Sequence, residues 1–258
     1  MDEAFAVAAV AAERMADAVR PIVLSYFRGT IPTDVKADRT PVTAADREAE
    51  ARMREIIEEA FPSHGILGEE HGSIRLDAEC VWVLDPIDGT KSFITGKPLF
   101  GTLIALVHRG RPVVGVIDMP ALAERWVGIE GRTTTINGRA TSVRPCPSLD
   151  GGWLYATTPE MFMGADAASF ERLRLKCRGA IYGADCYAYG LLANGTVDLV
   201  CEASTQPYDY CALVPVVRGA GGVISDWRGE PLGLESDGRV LACGDAAAHA
   251  AALSALAA

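Results

Sequence analysis

The seven cysteines of this chain include no C-x-x-C pair and follow no regular spacing, which excludes a zinc ribbon or a disulfide framework. No uncharged apolar run approaches the roughly 20 residues needed to cross a bilayer, so no membrane span is expected. Basic residues are in the minority. Lys and Arg total 24 against 34 Asp and Glu, and the formal charge of −10 argues against a nucleic-acid partner, whose phosphates would be repelled. Internal repeats and low-complexity linkers are absent. The N-terminus carries Asp2 and Glu3 where a secretory leader would be cationic, so a cytoplasmic location is expected. His64, His108 and His249 have no clustered partners, and His71, although beside acids, is a poor ligand for a hard cation.

What is present is ordinary for a globular enzyme: 258 residues, 49% hydrophobic and 22% charged. That length supports one large α/β domain or two lobes with a sizeable core. Cys80, Cys186, Cys201, Cys211 and Cys243 sit in apolar runs and read as buried thiols of a reducing compartment. Ala4 to Phe27 has helical spacing, with Pro21 expected to kink or divide the helix. Thr43 reads as the N-cap of a helix reaching Phe61, with Met53, Ile56, Ile57 and Ala60 on one buried stripe. Leu103 to His108 and Pro112 to Asp118 flank a hairpin, and Asn137-Gly138 is a type I′ turn pair. From Gly151 the order becomes strand, helix (Ala167 to Lys176), strand, helix (Cys186 to Ala193), strand (Val197 to Cys201) and helix (Asp209 to Ala220). Strands at Val223 and Val240 and an Ala-rich helix close the chain. Pro145 and Pro147 interrupt the pattern, so residues 1–140 and 141–258 are expected to form two lobes.

The most informative stretch is Trp82-Val83-Leu84-Asp85-Pro86-Ile87-Asp88-Gly89-Thr90. An apolar strand runs into two carboxylates three positions apart, and Pro86 between them is expected to turn the chain. Both acids and the Ile87 carbonyl then lie at one strand end, the oxygen donor set that Mg²⁺ prefers. Gly89-Thr90 and a helix starting at Lys91-Ser92 would present N–H groups to an anion. An acidic turn with a helix cap would read the same way locally.

The flanking blocks narrow this. Val35-Lys36-Ala37-Asp38-Arg39-Thr40-Pro41-Val42-Thr43-Ala44-Ala45-Asp46 precedes a second strand-then-acid run, Ile66-Leu67-Gly68-Glu69-Glu70-His71-Gly72. Downstream, Pro207-Tyr208-Asp209-Tyr210-Cys211-Ala212-Leu213 precedes Gly219-Ala220-Gly221-Gly222. Together, from about Lys36 to about Asp226, the four blocks resemble the inositol monophosphatase superfamily of Mg²⁺-dependent, Li⁺-sensitive phosphatases. Lys91-Ser92-Phe93 stands where most inositol-phosphate members have Thr-Asn-Phe, and Tyr208 stands for the usual Trp. These departures look like the histidinol-phosphate phosphatase branch.

The resemblance implies an α/β (α+β) layered αβαβα sandwich, a homodimer, and two or three Mg²⁺ ions per site. It implies that Glu69, Asp85 and the Ile87 carbonyl hold one ion, and that Asp85, Asp88 and Asp209 hold a second. Asp46, Thr90 and Glu69 form the implied catalytic group, with the Thr90 hydroxyl partnering the attacking water and Asp46 polarising it. Thr90 could equally cap the helix that follows, and Asp46 could only complement a helix dipole. Lys36 has a role beside the ions or is a surface lysine. Gly89, Thr90, Asp185, Glu202 and Asp209 match substrate-contacting positions, although Asp185 also reads as a helix N-cap. Three functions follow: hydrolysis of L-histidinol phosphate, hydrolysis of an inositol or other sugar phosphate, and a non-catalytic metal-dependent scaffold. The intact acidic set argues against the last.

Overall fold

The computed structural model describes residues 2–29, 33–35 and 41–257; Lys36 lies outside them. The order begins α1 (Asp2–Tyr26), β1 (Thr33–Val35), β2 (Pro41–Thr43), α2 (Ala44–Ala60), β3 (Gly65–Gly68), β4 (Gly72–Ile74), β5 (Cys80–Asp88) and α3 (Thr90–Ile94). An antiparallel run follows: β6 (Gly101–His108), β7 (Arg111–Met119), β8 (Glu124–Ile129), β9 (Thr135–Ile136) and β10 (Arg139–Ala140). Then come β11 (Trp153–Ala156), α4 (Ala165–Arg174), β12 (Gly179–Tyr182), α5 (Tyr187–Ala193), β13 (Leu199–Glu202), α6 (Pro207–Tyr210) and α7 (Leu213–Gly219). The elements β14 (Val223–Ser225), β15 (Val240–Cys243) and α8 (Ala246–Ala257) end the chain.

Alternation along the strands builds the layers. In β5, Trp82 and Leu84 point into one core with α1 and α2, while Val81 and Val83 point into a second core with α5 and α7. The same period in the other sheet sends Val200, Val240 and Ala242 to that second core, and Leu199, Cys201, Leu241 and Cys243 to a third core with Leu173 of α4 and Ala252 of α8. The result is α1/α2, an eight-stranded sheet, α5–α7, a five-stranded sheet, and α4/α8, the αβαβα layering that the resemblance implies. The two-residue loop Arg109-Gly110 (φ 48° and 77°) and the Asn137-Gly138 pair (φ 47° and 76°) both turn with positive φ, as type I′ hairpins require.

Four expectations need correction. Helix α1 is not divided at Pro21 but continues through it, because Val19 and Val23 are buried on either side and Arg20 is bound to buried Asp118 at 2.5 Å. That packing outweighs a missing donor. Pro86 does not end its strand: β5 continues to Asp88 past a bulge between Asp85 and Asp88, a place where proline is tolerated. The helix expected over 209–220 is two helices, α6 and α7. Pro215 has no N–H to give to the Cys211 carbonyl four residues back, so the ladder breaks between them. Cys80 is only half-buried, whereas Cys146 is buried; all seven cysteines are free.

The position of α7 depends on an absence of side chains. Gly115 of β7 and Gly128 of β8 face each other in register, and a Cβ on either would overlap the backbone of Ala212 or Pro215. The start of α7 therefore lies directly on the sheet, and α6 with Asp209 is set close to β5. Gly115→Ala should cost about 1–3 kcal/mol through overpacking. Gly151→Ala, which meets open space, should stay within about 0.5 kcal/mol. Urea midpoints at unchanged slope would measure both.

Candidate active site

Parallel strands of both sheets end at one cavity of about 480 Å³. In the first sheet, β3 and β5 run parallel and deliver Glu69, Asp85, Ile87 and Asp88. In the second, β11, β12 and β13 run parallel, and the residues just past them, Thr157, Asp185 and Ser204, line the same space. Carboxyl ends of parallel strands are the usual ligand site of α/β sheets.

Asp85, Asp88 and Asp209 each present an oxygen within 4.8 Å of the others. Glu69 lies within hydrogen-bonding reach of Asp85. Burial pushes the Asp85 carboxyl well above the ordinary range, and the nearby Glu69, Asp88 and Asp209 add to it. Burial likewise raises Asp88, helped by Asp185 and Asp209 and opposed by the Cys186 N–H, which donates to Asp88 Oδ2 at 2.7 Å. Asp209 Oδ2 accepts the Gln206 N–H at 2.7 Å in a capping box that orients α6. An all-oxygen donor set with crowded, costly negative charge fits a hard divalent cation.

Thr90 is not the cap of α3. Gly89 holds that place with φ 82°, and the Thr90 hydroxyl donates to the Ile87 carbonyl at 3.1 Å. Asp46 Oδ2 accepts the backbone N–H and hydroxyl of Thr43, at 2.8 and 2.5 Å, which makes it a capping-box acid. Its other oxygen, Oδ1, is buried with no hydrogen-bond partner among the described residues. Burial raises the Asp46 carboxyl, the Thr43 bonds oppose this, and Glu69 adds a further rise. Strand β2, which leads into α2, lies against α3, and no direct hydrogen bond joins Asp46 to Thr90 among the described residues.

Asp185 is not a helix N-cap. It sits before Cys186, the cap of α5, with φ 49°, and its Oδ2 accepts the Ser92 hydroxyl at 3.0 Å beside Gly89. Burial raises this carboxyl, opposed by Ser92, Lys97 and Lys91. Glu202 is farther in. It lines an inner cavity of about 150 Å³ that shares Asp88, Thr157, Asp185, Ser204 and Asp209 with the larger one. Glu202 Oε1 accepts the N–H and hydroxyl of Thr157, at 3.1 and 2.6 Å, and Oε2 accepts the Tyr189 hydroxyl at 2.9 Å.

The structure thus gathers Glu69, Asp85, Ile87, Asp88, Gly89, Thr90, Asp185 and Asp209 around one cavity, with Asp46 and Glu202 at its margins. Thr157, Ser204 and Gln206 also line it and do not emerge from the motifs. Thr157 follows the apolar strand Trp153–Ala156 directly, the same pattern that marks Glu69, and could have been found by it. Ser204 and Gln206 carry no such signal.

The sequence profile of the inositol monophosphatase family matches residues 3–258. The bifunctional phosphatase IMPL2 of Arabidopsis thaliana is 49% identical over 251 residues, 94% of this chain and 72% of that protein. A histidinol-phosphatase of Chlorobaculum parvum is 34% identical over 231 residues, covering 88% and 89% of the two chains. An inositol monophosphatase from Zymomonas mobilis superposes with a TM-score of 0.91 at 47% identity, over 99% of each chain.

The crowded acids make a sign-definite pH prediction for the metal-free protein. Asp85 and Asp88 titrate well above 3.8 when folded and near it when unfolded, so the fold binds more protons across that interval. Their contribution is fully present below the unfolded value and lost as pH rises through the folded values. The thermal midpoint of chelated protein should therefore fall as pH rises above 3.8. Saturating Mg²⁺ should restore most of it. A midpoint that rises with pH in chelator would contradict the crowding.

Proposed function

The chain belongs to the inositol monophosphatase family and is a phosphatase, and on that premise we propose that it hydrolyses L-histidinol phosphate to L-histidinol and phosphate. The observation that carries this reading is a second set of carboxylates next to the first. Histidinol phosphate has a phosphate, an ammonium group and an imidazole. The crowded Glu69, Asp85, Asp88 and Asp209 answer the phosphate through cations, while Asp185 and Glu202 border the connected inner cavity. A carboxylate has about four acceptor positions. Among the described residues Glu202 accepts from the Thr157 N–H, the Thr157 hydroxyl and the Tyr189 hydroxyl, which leaves capacity for a cationic ligand. The histidinol-phosphatase from Chlorobaculum parvum supports the same choice.

In this reading Glu69, Asp85, the Ile87 carbonyl, Asp88 and Asp209 hold Mg²⁺. Such ions supply charge neutralisation of the phosphate and a nucleophile from water at neutral pH. Around them the protein's own groups have separate tasks. The N–H groups of Gly89 and Thr90 bind phosphate oxygens. The Thr90 hydroxyl orients the attacking water, and Asp46 Oδ1, buried and unpartnered among the described residues, takes up the proton. Water oxygen bonds to phosphorus as the bond to the alcohol oxygen breaks; one water proton goes to Asp46 and the other stays on the phosphate. The departing alkoxide takes a proton from solvent water to leave as histidinol, and the proton on Asp46 returns to solvent. Thr90→Ala should lower kcat by about 10²-fold or more with little change in KM. A phosphoenzyme trapped from the reaction would refute direct attack by water.

The likeness to an inositol monophosphatase at 47% identity favours an inositol phosphate as the second reading. One comparison separates them. A charge-assisted hydrogen bond contributes roughly 1.5–3 kcal/mol, or about 10- to 150-fold. With two carboxylates involved, kcat/KM for histidinol phosphate should exceed that for inositol 1-phosphate by about 100-fold or more. Glu202→Gln should erode the preference and spare a small neutral phosphate ester. Equal efficiency on both substrates would select the second reading.

A further inference from the structure

Helix α2 carries a carboxylate, Glu50, that none of the chemistry above uses. Its side chain is fully buried. Glu50 Oε2 accepts the backbone N–H of Glu70 at 2.6 Å, and Oε1 accepts the N–H of His71 at 3.1 Å. Arg54, one helical turn along, donates its Nε to the same carboxylate at 2.7 Å and a second guanidinium nitrogen to the Gly72 carbonyl. One carboxylate–guanidinium pair thus holds the backbone of residues 70–72. On the other side, the Glu69 N–H donates to the Leu84 carbonyl at 3.2 Å, one residue before Asp85. Glu69 is therefore pinned between two anchors. A Cβ at Gly68 would overlap the Glu50 carboxylate, so this contact requires glycine at the preceding position.

We propose that Glu50 is a positioning residue for the cation site: by holding the turn after β3, it fixes the distance between the Glu69 and Asp85 carboxylates. The inference rests on the reading of Glu69 as a cation ligand. A buried acid satisfied by two backbone N–H groups and an arginine is well suited to this. Those bonds are directional and charge-assisted, and desolvation makes them costly to break. Arg54 offsets the charge, so Glu50 adds little to the crowding at the centre.

The test uses the full chain, stripped of metal, with Mn²⁺ as the calorimetric probe and Mg²⁺-dependent turnover as a second measurement. Glu50→Gln keeps the shape but replaces one acceptor oxygen by a donor that faces other donors. It should weaken Mn²⁺ binding by about 10- to 100-fold, as outer-shell partners of ligands do. The Mg²⁺ concentration for half-maximal rate should rise in parallel, with KM for the phosphate ester nearly unchanged. Gly68→Ala, with Glu50 intact but displaced, should reproduce the loss and serves if Glu50→Gln does not fold. A folded variant with a lower melting temperature but wild-type Mn²⁺ affinity would overturn the proposal, since a merely structural role predicts that result. Wild-type protein that binds no Mn²⁺ would overturn the cation reading, and the positioning role with it.

Discussion

Four carboxylates held at one point are the constraint on which the rest of this structure depends. Left to themselves Asp85, Asp88, Asp209 and Glu69 repel one another, and Asp85 and Asp88 resist ionisation. The chain brings them together because each is carried by an element whose position is decided elsewhere by apolar packing. Asp85 and Asp88 ride on β5, whose two faces feed two separate cores. Asp209 rides on α6, placed by the descent of α7 onto the paired glycines of β7 and β8. Burial of the kind lost in a core truncation, about 2–5 kcal/mol per large side chain, is what offsets the local repulsion.

Much of the site is legible in the sequence because its chemistry is local. Strand-then-acid runs mark Glu69, Asp85 and Asp88, and a hydrophobic strand that meets a polar residue at its carboxyl end is a one-dimensional signal. The layered fold is legible through the family resemblance, and the stripe on α2 declares its buried face, whereas β5 and β13 are apolar on both faces and show no alternation. What escapes is whatever depends on groups distant in the chain. Pro21 and Pro86 read as breakers by local rule, yet buried neighbours carry the helix through one and a bulge accommodates the other. The Ser92 hydroxyl on Asp185 and the Glu50 carboxylate on the Glu70 N–H span 93 and 20 residues, and no motif spacing announces them.

The acids around the cavity fall into two kinds, and the difference is physical. Asp85 and Asp88 are raised by burial and by several neighbouring carboxylates, with only Cys186 opposing the rise at Asp88, the state that a divalent cation relieves. Glu202 and Asp46 are raised by burial too, but donors on neighbouring elements oppose the shift: Thr157 and Tyr189 for the one, Thr43 for the other. Charge in the first group is left for a cation to compensate, whereas in the second hydrogen-bond donors of the protein partly oppose the effect of burial. A group of the second kind keeps its shape with or without cations, which suits it to read an organic part of a ligand or to hold a proton.

That division explains why the two sheets must meet where they do. A phosphate-binding centre built from β3, β5 and α6 alone would accept any phosphomonoester, because every phosphate is alike at that end. Selectivity needs polar groups at a fixed distance beyond the phosphate, and on the proposed reading these come from the other sheet, from the ends of β11, β12 and β13. The hydrogen bond from the Cys186 N–H to Asp88 ties the loop after β12 directly to the first sheet, and the Ser92 hydroxyl ties Asp185 to α3. Motion of one sheet against the other would therefore disturb the cation site and the selectivity site together. Two hydrogen bonds between the lobes of the site and a shared apolar core behind them oppose that motion, and on the proposed reading this couples recognition of the organic group to the place where the phosphate is attacked.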